Sequence, residues 1–279
     1  MPGDVVVITG CSSGIGRAVA ERFLERGHVV YATARRLDTL EPLAASGCHA
    51  LALDVTDDAS MRHAVETIES EHGAIDVLVN NAGYGQLGAL EETTLEQFHA
   101  QFATNVFGVV RMCQLVLPAM RERARGRIVM VSSMGGRITF PGGAAYHGSK
   151  YALEAISDVL RFEVAPFGVS VVIVEPGLVA TEYGSVAVAA LAGDPERGPY
   201  AAFTSGVRDA LVTSFSGGVD GSSTADEVAV AVVAAATDAD PDTRYVVGPM
   251  AEQLIGLHEQ MSDVEWDAMM ATMYPRPGQ

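Results

Sequence analysis

A chain of 279 residues that is 48% hydrophobic can bury a full core, and its net charge of −17 excludes the basic patches that nucleic acid and anionic membranes recruit. The longest apolar run, 228–236, is far shorter than the roughly 20 residues of a bilayer span, so no membrane association is expected. Cys11, Cys48 and Cys113 are widely spaced and odd in number, which indicates no disulfide framework; with no signal peptide ahead of the first apolar run, the expected setting is the reducing cytoplasm.

Short β-branched runs alternate with helical patterns from the start. Strands are predicted at 5–8, 29–33, 50–53 and 75–79, with helices between them at 14–26, 37–46 and 59–71. A long helix at 95–123 leads into a strand at 127–131, and a helix at 146–164 into a strand at 169–174. Regularity then lapses until a helix at 226–236 and a strand at 244–247. Strands that are apolar throughout are buried on both faces. Their alternation with helices predicts an α/β doubly wound parallel sheet, the Rossmann fold, as a single domain over 1–279. The stretch 182–224, rich in Gly, Ala and Ser with scattered aromatics, is expected to be irregular and to serve as a substrate lid.

The first strand ends in Thr9-Gly10-Cys11-Ser12-Ser13-Gly14-Ile15-Gly16, and a helix follows at once. Glycines there let the backbone turn sharply and approach a pyrophosphate, whose charge sits at the helix N-terminus. The same residues match the Gly-x-Ser-x-Gly nucleophile elbow, which would make Ser12 a hydrolase nucleophile. A hydrolase takes its oxyanion hole from an upstream strand and loop, and only nine residues precede Gly10, so the nucleotide reading is preferred.

Lys150 is the only lysine in the chain, and asparagine occurs only at Asn80, Asn81 and Asn105. Tyr146 and Lys150 stand one helical turn apart and share a face. An ordinary tyrosine, with a pKa of about 10, is a poor acid–base catalyst at neutral pH; a nearby ammonium favours the phenolate and lowers it. The competing reading is a core tyrosine beside a solvated lysine.

The glycine turn, Asn80-Asn81-Ala82-Gly83 after the fourth strand and Tyr146-His147-Gly148-Ser149-Lys150 closely resemble the single-domain branch of the short-chain dehydrogenases/reductases. Pro176-Gly177-Leu178-Val179-Ala180-Thr181 matches a further segment of that family, and Arg244-Tyr245-Val246-Val247-Gly248 resembles its hydroxysteroid and retinol dehydrogenase-like members. The resemblance implies hydride transfer between a nicotinamide cofactor and a ketone or secondary alcohol. Tyr146 would be the general acid/base, with Lys150 as its partner and as a ligand of the nicotinamide ribose. Ser133 would hold the substrate oxygen, with Ser132 as its rival, and Asn105 would hold a proton-relay water or satisfy backbone in a kinked helix.

The cofactor would lie along Gly10, Ser12, Ser13, Gly14, Ile15 and Gly16, then Asp54 and Val55, then Asn81, Ala82 and Gly83. Pro176, Gly177, Val179 and Thr181 would close the far side. Asp54 would accept from the adenine amino group, or merely start a helix. Met134, Ile138, Phe140 and Tyr183 are the expected walls of a mostly apolar substrate pocket. His147 faces elsewhere and is read as packing, and the other histidines show no metal-ligand spacing. The family pairs through the helices at 95–123 and 146–164, so a homodimer or homotetramer is implied. A catalytically silent nucleotide sensor is the alternative; its usual sign, a broken Tyr–Lys pair, is missing here.

The choice of nicotinamide rests on the second strand. An acid at its end would grip the adenosine ribose of NAD(H). Here Thr33 stands at that position and Arg35 and Arg36 follow, which predicts NADP(H) over NAD(H), Arg35 meeting the 2′-phosphate and Arg36 sharing the contact or facing solvent.

Overall fold

The computed structural model describes residues 3–215 and 221–277. Its strands are β1 Val5–Ile8, β2 Val29–Ala34, β3 His49–Ala52, β4 Val77–Asn80, β5 Gly126–Val131, β6 Val169–Pro176, β7 Val179–Ala180, β8 Ser223–Thr224 and β9 Arg244–Val247. The helices are α1 Gly14–Glu25, α2 Glu41–Ser46, α3 Asp58–His72, α4 Leu95–Phe102, α5 Gly108–Glu122, α6 Ala144–Val164, α7 Tyr183–Ala189, α8 Ala201–Phe215, α9 Ala225–Thr237, α10 Pro249–His258 and α11 Asp263–Met273.

Seven strands pair in parallel in the order β3-β2-β1-β4-β5-β6-β9, and β7 with β8 makes a small separate ribbon. Every residue of β1 and β4 is buried, as unbroken apolar runs require at the centre of a two-sided sheet. Val19 and Phe23 of α1 and Val228, Val232 and Val233 of α9 fill one face. Met61 and Ile68 of α3, Met112 and Val116 of α5 and Leu153 of α6 fill the other. The chain order steps outward in both directions from β1, so the carboxyl ends of β1 and β4 open a crevice at the switch point.

The predicted elements fall where expected within a few residues up to β6. The lid stretch differs. Among its described residues α7 and α8 are helical rather than irregular, with Phe203 and Val207 of α8 packed beside Ala89; positions 216–220 lie outside the described residues. Beyond the last predicted strand, α10 and α11 bring Ile255, Trp266 and Met270 together beneath Ile138 and Met134. One helical run, Leu95–Glu122, is long and apolar enough to cross a membrane by length and composition; here Asn105, Met112, Cys113, Val116 and Met120 are buried within the fold.

Candidate active site

The glycine turn is held open by its own backbone demands. Gly10 and Gly14 sit at φ +76° and +56°, where a side chain is strained, and a Cβ on Gly16 would lie 2.3 Å from the Gly10 carbonyl oxygen. Asn81 closes the turn from the end of β4: its Nδ2 donates to the carbonyls of Thr9 (2.8 Å) and Gly10 (3.0 Å). Thr9 Oγ1 in turn accepts from the amides of Asn81 and Ala82, each at 3.0 Å. Arg17, a residue the sequence reading passed over, braces the turn by donating to the Ser12 carbonyl at 2.6 Å.

Ser13 begins α1 without a side-chain cap, and no acidic residue occupies the first turn. The leading amides of a 12-residue helix are thus free for an anion. Thr181 reaches over this point, its methyl 3.3 Å from where a Gly14 side chain would begin, so the segment after β6 borders the turn as expected. A cradle that only glycine can line, opening onto a helix N-terminus, fits a dinucleotide pyrophosphate.

Around the adenosine end, Thr33 is fully buried and donates to the Ile8 carbonyl at 2.9 Å, so β2 ends without a carboxylate. Arg35 is exposed and has no carboxylate partner among the described residues; its charge acts on Tyr84. Arg36 lies 3.8 Å from Asp38 and is otherwise in solvent. Asp54 accepts from the Thr56 amide (2.9 Å) and hydroxyl (2.7 Å), a local turn. The alternative for Asp54, starting the next helix, is corrected: Asp57 caps α3 through the Ala59 amide. Val55 is buried, its carbonyl pressed against Gly108, where a Cβ would come within 2.4 Å.

The candidate acid–base group lies at the start of α6. Tyr146 presents its hydroxyl to those of Ser133 and Tyr183. Ser133 is fixed by accepting from the Gly135 amide at 3.0 Å. Its rival Ser132 instead faces the carboxylate of Glu154. Lys150, nearly buried, donates from Nζ to the Val131 carbonyl at 2.9 Å. Burial pushes the Tyr146 hydroxyl up from the ordinary tyrosine value, and the hydroxyls of Ser133 and Tyr183 pull it back. The expected lowering by Lys150 is therefore not what the protein does in this state. Desolvation of the phenolate outweighs everything else, and the ammonium is turned to a backbone carbonyl. Burial likewise pushes Lys150 down to about 8, against the pull of Glu154.

Asn105 lies in a π-helical turn, Ala103–Phe107, between α4 and α5. It accepts from the Tyr84 amide (3.2 Å) and donates to the Tyr84 carbonyl (3.0 Å) and to Ser149 Oγ (3.1 Å). Such bulges recur at functional sites because they turn one side chain out of the helical register. Gly83 fits under it, with a Cβ position 3.2 Å from Asn105 Oδ1.

Of the expected pocket walls, Tyr183 faces Tyr146 at 6.0 Å between ring centres, and Met134 is buried beside it in the chain after Ser133. Ile138 is completely buried among Ile255, Trp266 and Met270, so it backs the wall rather than lining it. Phe140 stacks obliquely on Trp266 and His147. His147 itself is a packing residue, its ring bridging the Gly135 carbonyl at 2.8 Å and the Phe140 amide at 3.1 Å. Among the described residues no cluster of His, Cys, Asp and Glu has the makings of a metal site. The three cysteines are buried and free, their thiols pushed up to about 12, 11 and 12 for Cys11, Cys48 and Cys113.

Comparison with known proteins agrees with this geometry. The family model described as short chain dehydrogenase matches residues 4–191. A 3-ketodihydrosphingosine reductase of Bacteroides thetaiotaomicron is 46% identical over 178 residues, which span 63% of this chain and 64% of that protein. Oxidoreductase BOA17 of Botryotinia fuckeliana is 36% identical over 267 residues, covering 93% of this chain and 95% of its own. A solved short-chain dehydrogenase from Streptomyces avermitilis superposes with a TM-score of 0.83 at 34% identity over 97% of this chain and 96% of its own. A serine dehydrogenase solved with NADP+ gives 0.76 at 27% identity, over 88% and 95%.

Proposed function

The chain belongs to the short-chain dehydrogenase/reductase family of nicotinamide-dependent oxidoreductases, and from that premise we propose that it transfers hydride between NADP(H) and a mostly apolar ketone or secondary alcohol. The observation that carries this reading is the meeting of the Tyr146, Ser133 and Tyr183 hydroxyls, with Tyr183 and Tyr146 closing over Gly85 after β4.

The nicotinamide, when bound, supplies or accepts the hydride, the step protein side chains cannot perform. The protein's own part is position and proton handling. Ser133, rigid on the Gly135 amide, donates to the substrate oxygen and steadies charge that builds there. Tyr146 delivers the proton to the same oxygen in reduction and withdraws it in oxidation. A hydroxyl pushed up by burial is protonated at neutral pH, which suits the reducing direction. Lys150, one helical turn from Tyr146, would bind the ribose hydroxyls of the cofactor and favour the phenolate form. Asn105, fastened to Tyr84 and Ser149, would hold the water that links Lys150 to solvent.

Support for NADP(H) is the carboxylate-free end of β2 and the unpaired Arg35, together with a serine dehydrogenase neighbour that carries NADP+. Support for an apolar substrate is Tyr183 facing Tyr146, the apolar cluster of Met134 and Phe140 after Ser133, and a relative named 3-ketodihydrosphingosine reductase. Pairing through the α4–α5 run and α6 is the assembly that follows, and the exposed Phe107 and Phe162 on those elements fit a covered face. Calorimetric titration with NADP+ and NAD+ tests the cofactor claim: tighter NADP+ is expected, and equal or tighter NAD+ overturns it.

A further inference from the structure

The relay described so far leaves unused a buried set of charges directly behind the catalytic lysine. Glu154 lies one helical turn beyond Lys150 on α6, on the same face, and is only 8% exposed at the side chain. Glu175 of β6 is fully buried beside it. Arg244 of β9 joins them: its Nε is 3.3 Å from Glu154 Oε2 and 3.1 Å from Glu175 Oε1, and its Nη2 is 2.7 Å from both Asp158 oxygens. Arg137 lies 3.4 Å from Glu175, and Arg161 lies 2.8 Å from Asp158.

Glu175 Oε2 is buried without a hydrogen-bond partner, and the Ser132 hydroxyl faces the Glu154 carboxylate. Orphaned buried carboxylate oxygens are destabilising, so a role outside packing is called for. With Lys150 charged, the group holds Lys150, Arg137, Arg161 and Arg244 against Glu154, Glu175, Asp158 and Glu259, which lies 3.0 Å from Arg137. Without Glu154 one positive charge is left in excess, and the lysine is the one cation of the four able to discharge it by losing a proton.

We propose that Glu154 is a positioning residue for Lys150, its carboxylate keeping the buried ammonium charged while Arg244 fixes that carboxylate in place. The proposal rests on Lys150 acting in the site as described above. Glu154 does not touch the reacting atoms; it acts through the lysine. Burial drives Lys150 down and Glu154 drives it up, so the two effects oppose each other at the same ammonium.

Because Lys150 is the only lysine, ¹³C-lysine labelling gives a single side-chain signal whose titration needs no assignment. The native chain is expected to titrate at about 8. Glu154→Gln should move the midpoint to lower pH, Glu154→Asp should hold it, and the distant Glu163→Gln should leave it unchanged. Should the buried amide fail to fold, Glu154→Met makes the same test. In turnover, Glu154→Gln should lower kcat at pH 8 with ketone KM retained. A midpoint equal in the native chain and in the charge-removing variant overturns the proposal, whatever the activity. The titration uses neither cofactor nor substrate, so a shifted midpoint in a chain that reduces no ketone supports this role for Glu154 and counts against the functional reading alone.

Discussion

Asn105 grips Tyr84 by both of its backbone groups, accepting from the amide at 3.2 Å and donating to the carbonyl at 3.0 Å, from inside the π-helical turn. The loop after β4, which borders the cofactor cradle, is thereby tied to the α4–α5 run. Asn105→Ala leaves the part-buried Tyr84 amide without this partner, at a cost of about 1 kcal/mol. Urea unfolding should show that loss, and activity should fall with it. Unchanged stability and turnover would show the contact to be incidental.

Tyr183 donates toward Tyr146 and lowers its pKa, so its hydroxyl helps the phenolate form. The sign follows directly. Tyr183→Phe removes a stabiliser of the charged form, the Tyr146 pKa rises, and the alkaline rise of alcohol oxidation moves to higher pH. Ketone reduction near pH 7, which needs the protonated acid, should keep its pH dependence. A pH–rate profile for both directions reads this, and a shift of the oxidation limb to lower pH would contradict it.

Arg35 stands exposed at the end of β2 beside a buried threonine rather than a carboxylate. Arg35→Ala should weaken NADPH far more than NADH, because only the former carries a 2′-phosphate to lose its partner. Arg36→Ala should matter less, since that side chain already faces Asp38 at 3.8 Å. The check is kcat/KM for both cofactors in each variant, and equal losses for the two cofactors would remove Arg35 from the phosphate site.

The sheet, its glycine turn and the Tyr146–Lys150 spacing were legible because each signal is local. Val5 to Ile8 is apolar without a break, the glycines follow at once, and Tyr146 and Lys150 lie a single turn apart. The stretch 182–224 was less so. The helix α8, Ala201–Phe215, mixes Gly206, Thr204 and Ser205 with its apolar residues, and its burial comes from contact with the distant Ala89. A usable signal for α11 was present and passed over: Ser262 and Glu265 form a reciprocal cap just as Thr94 and Gln97 do for α4. The Glu154–Glu175–Arg244 group was beyond sequence reasoning. Its members come from α6, β6 and β9 and meet only because β6 and β9 pair in register. The direction of the Tyr146 shift was missed for a related reason: burial of a hydroxyl is a property of the packed site, not of its neighbours in the chain.

The claim that joins all of this is that Tyr146 protonates a ketone reduced by NADPH. The direct measurement is loss of nicotinamide absorbance with a panel of ketones, in the native chain and in Tyr146→Phe, with cofactor affinity measured alongside. The expected result is turnover of bulky apolar ketones in preference to charged keto acids, faster with NADPH than NADH. In the variant turnover should fall about 10²–10⁴-fold while NADPH binds as before. Undiminished turnover in Tyr146→Phe, or no reduction of any ketone by a native chain that binds NADPH, would contradict it.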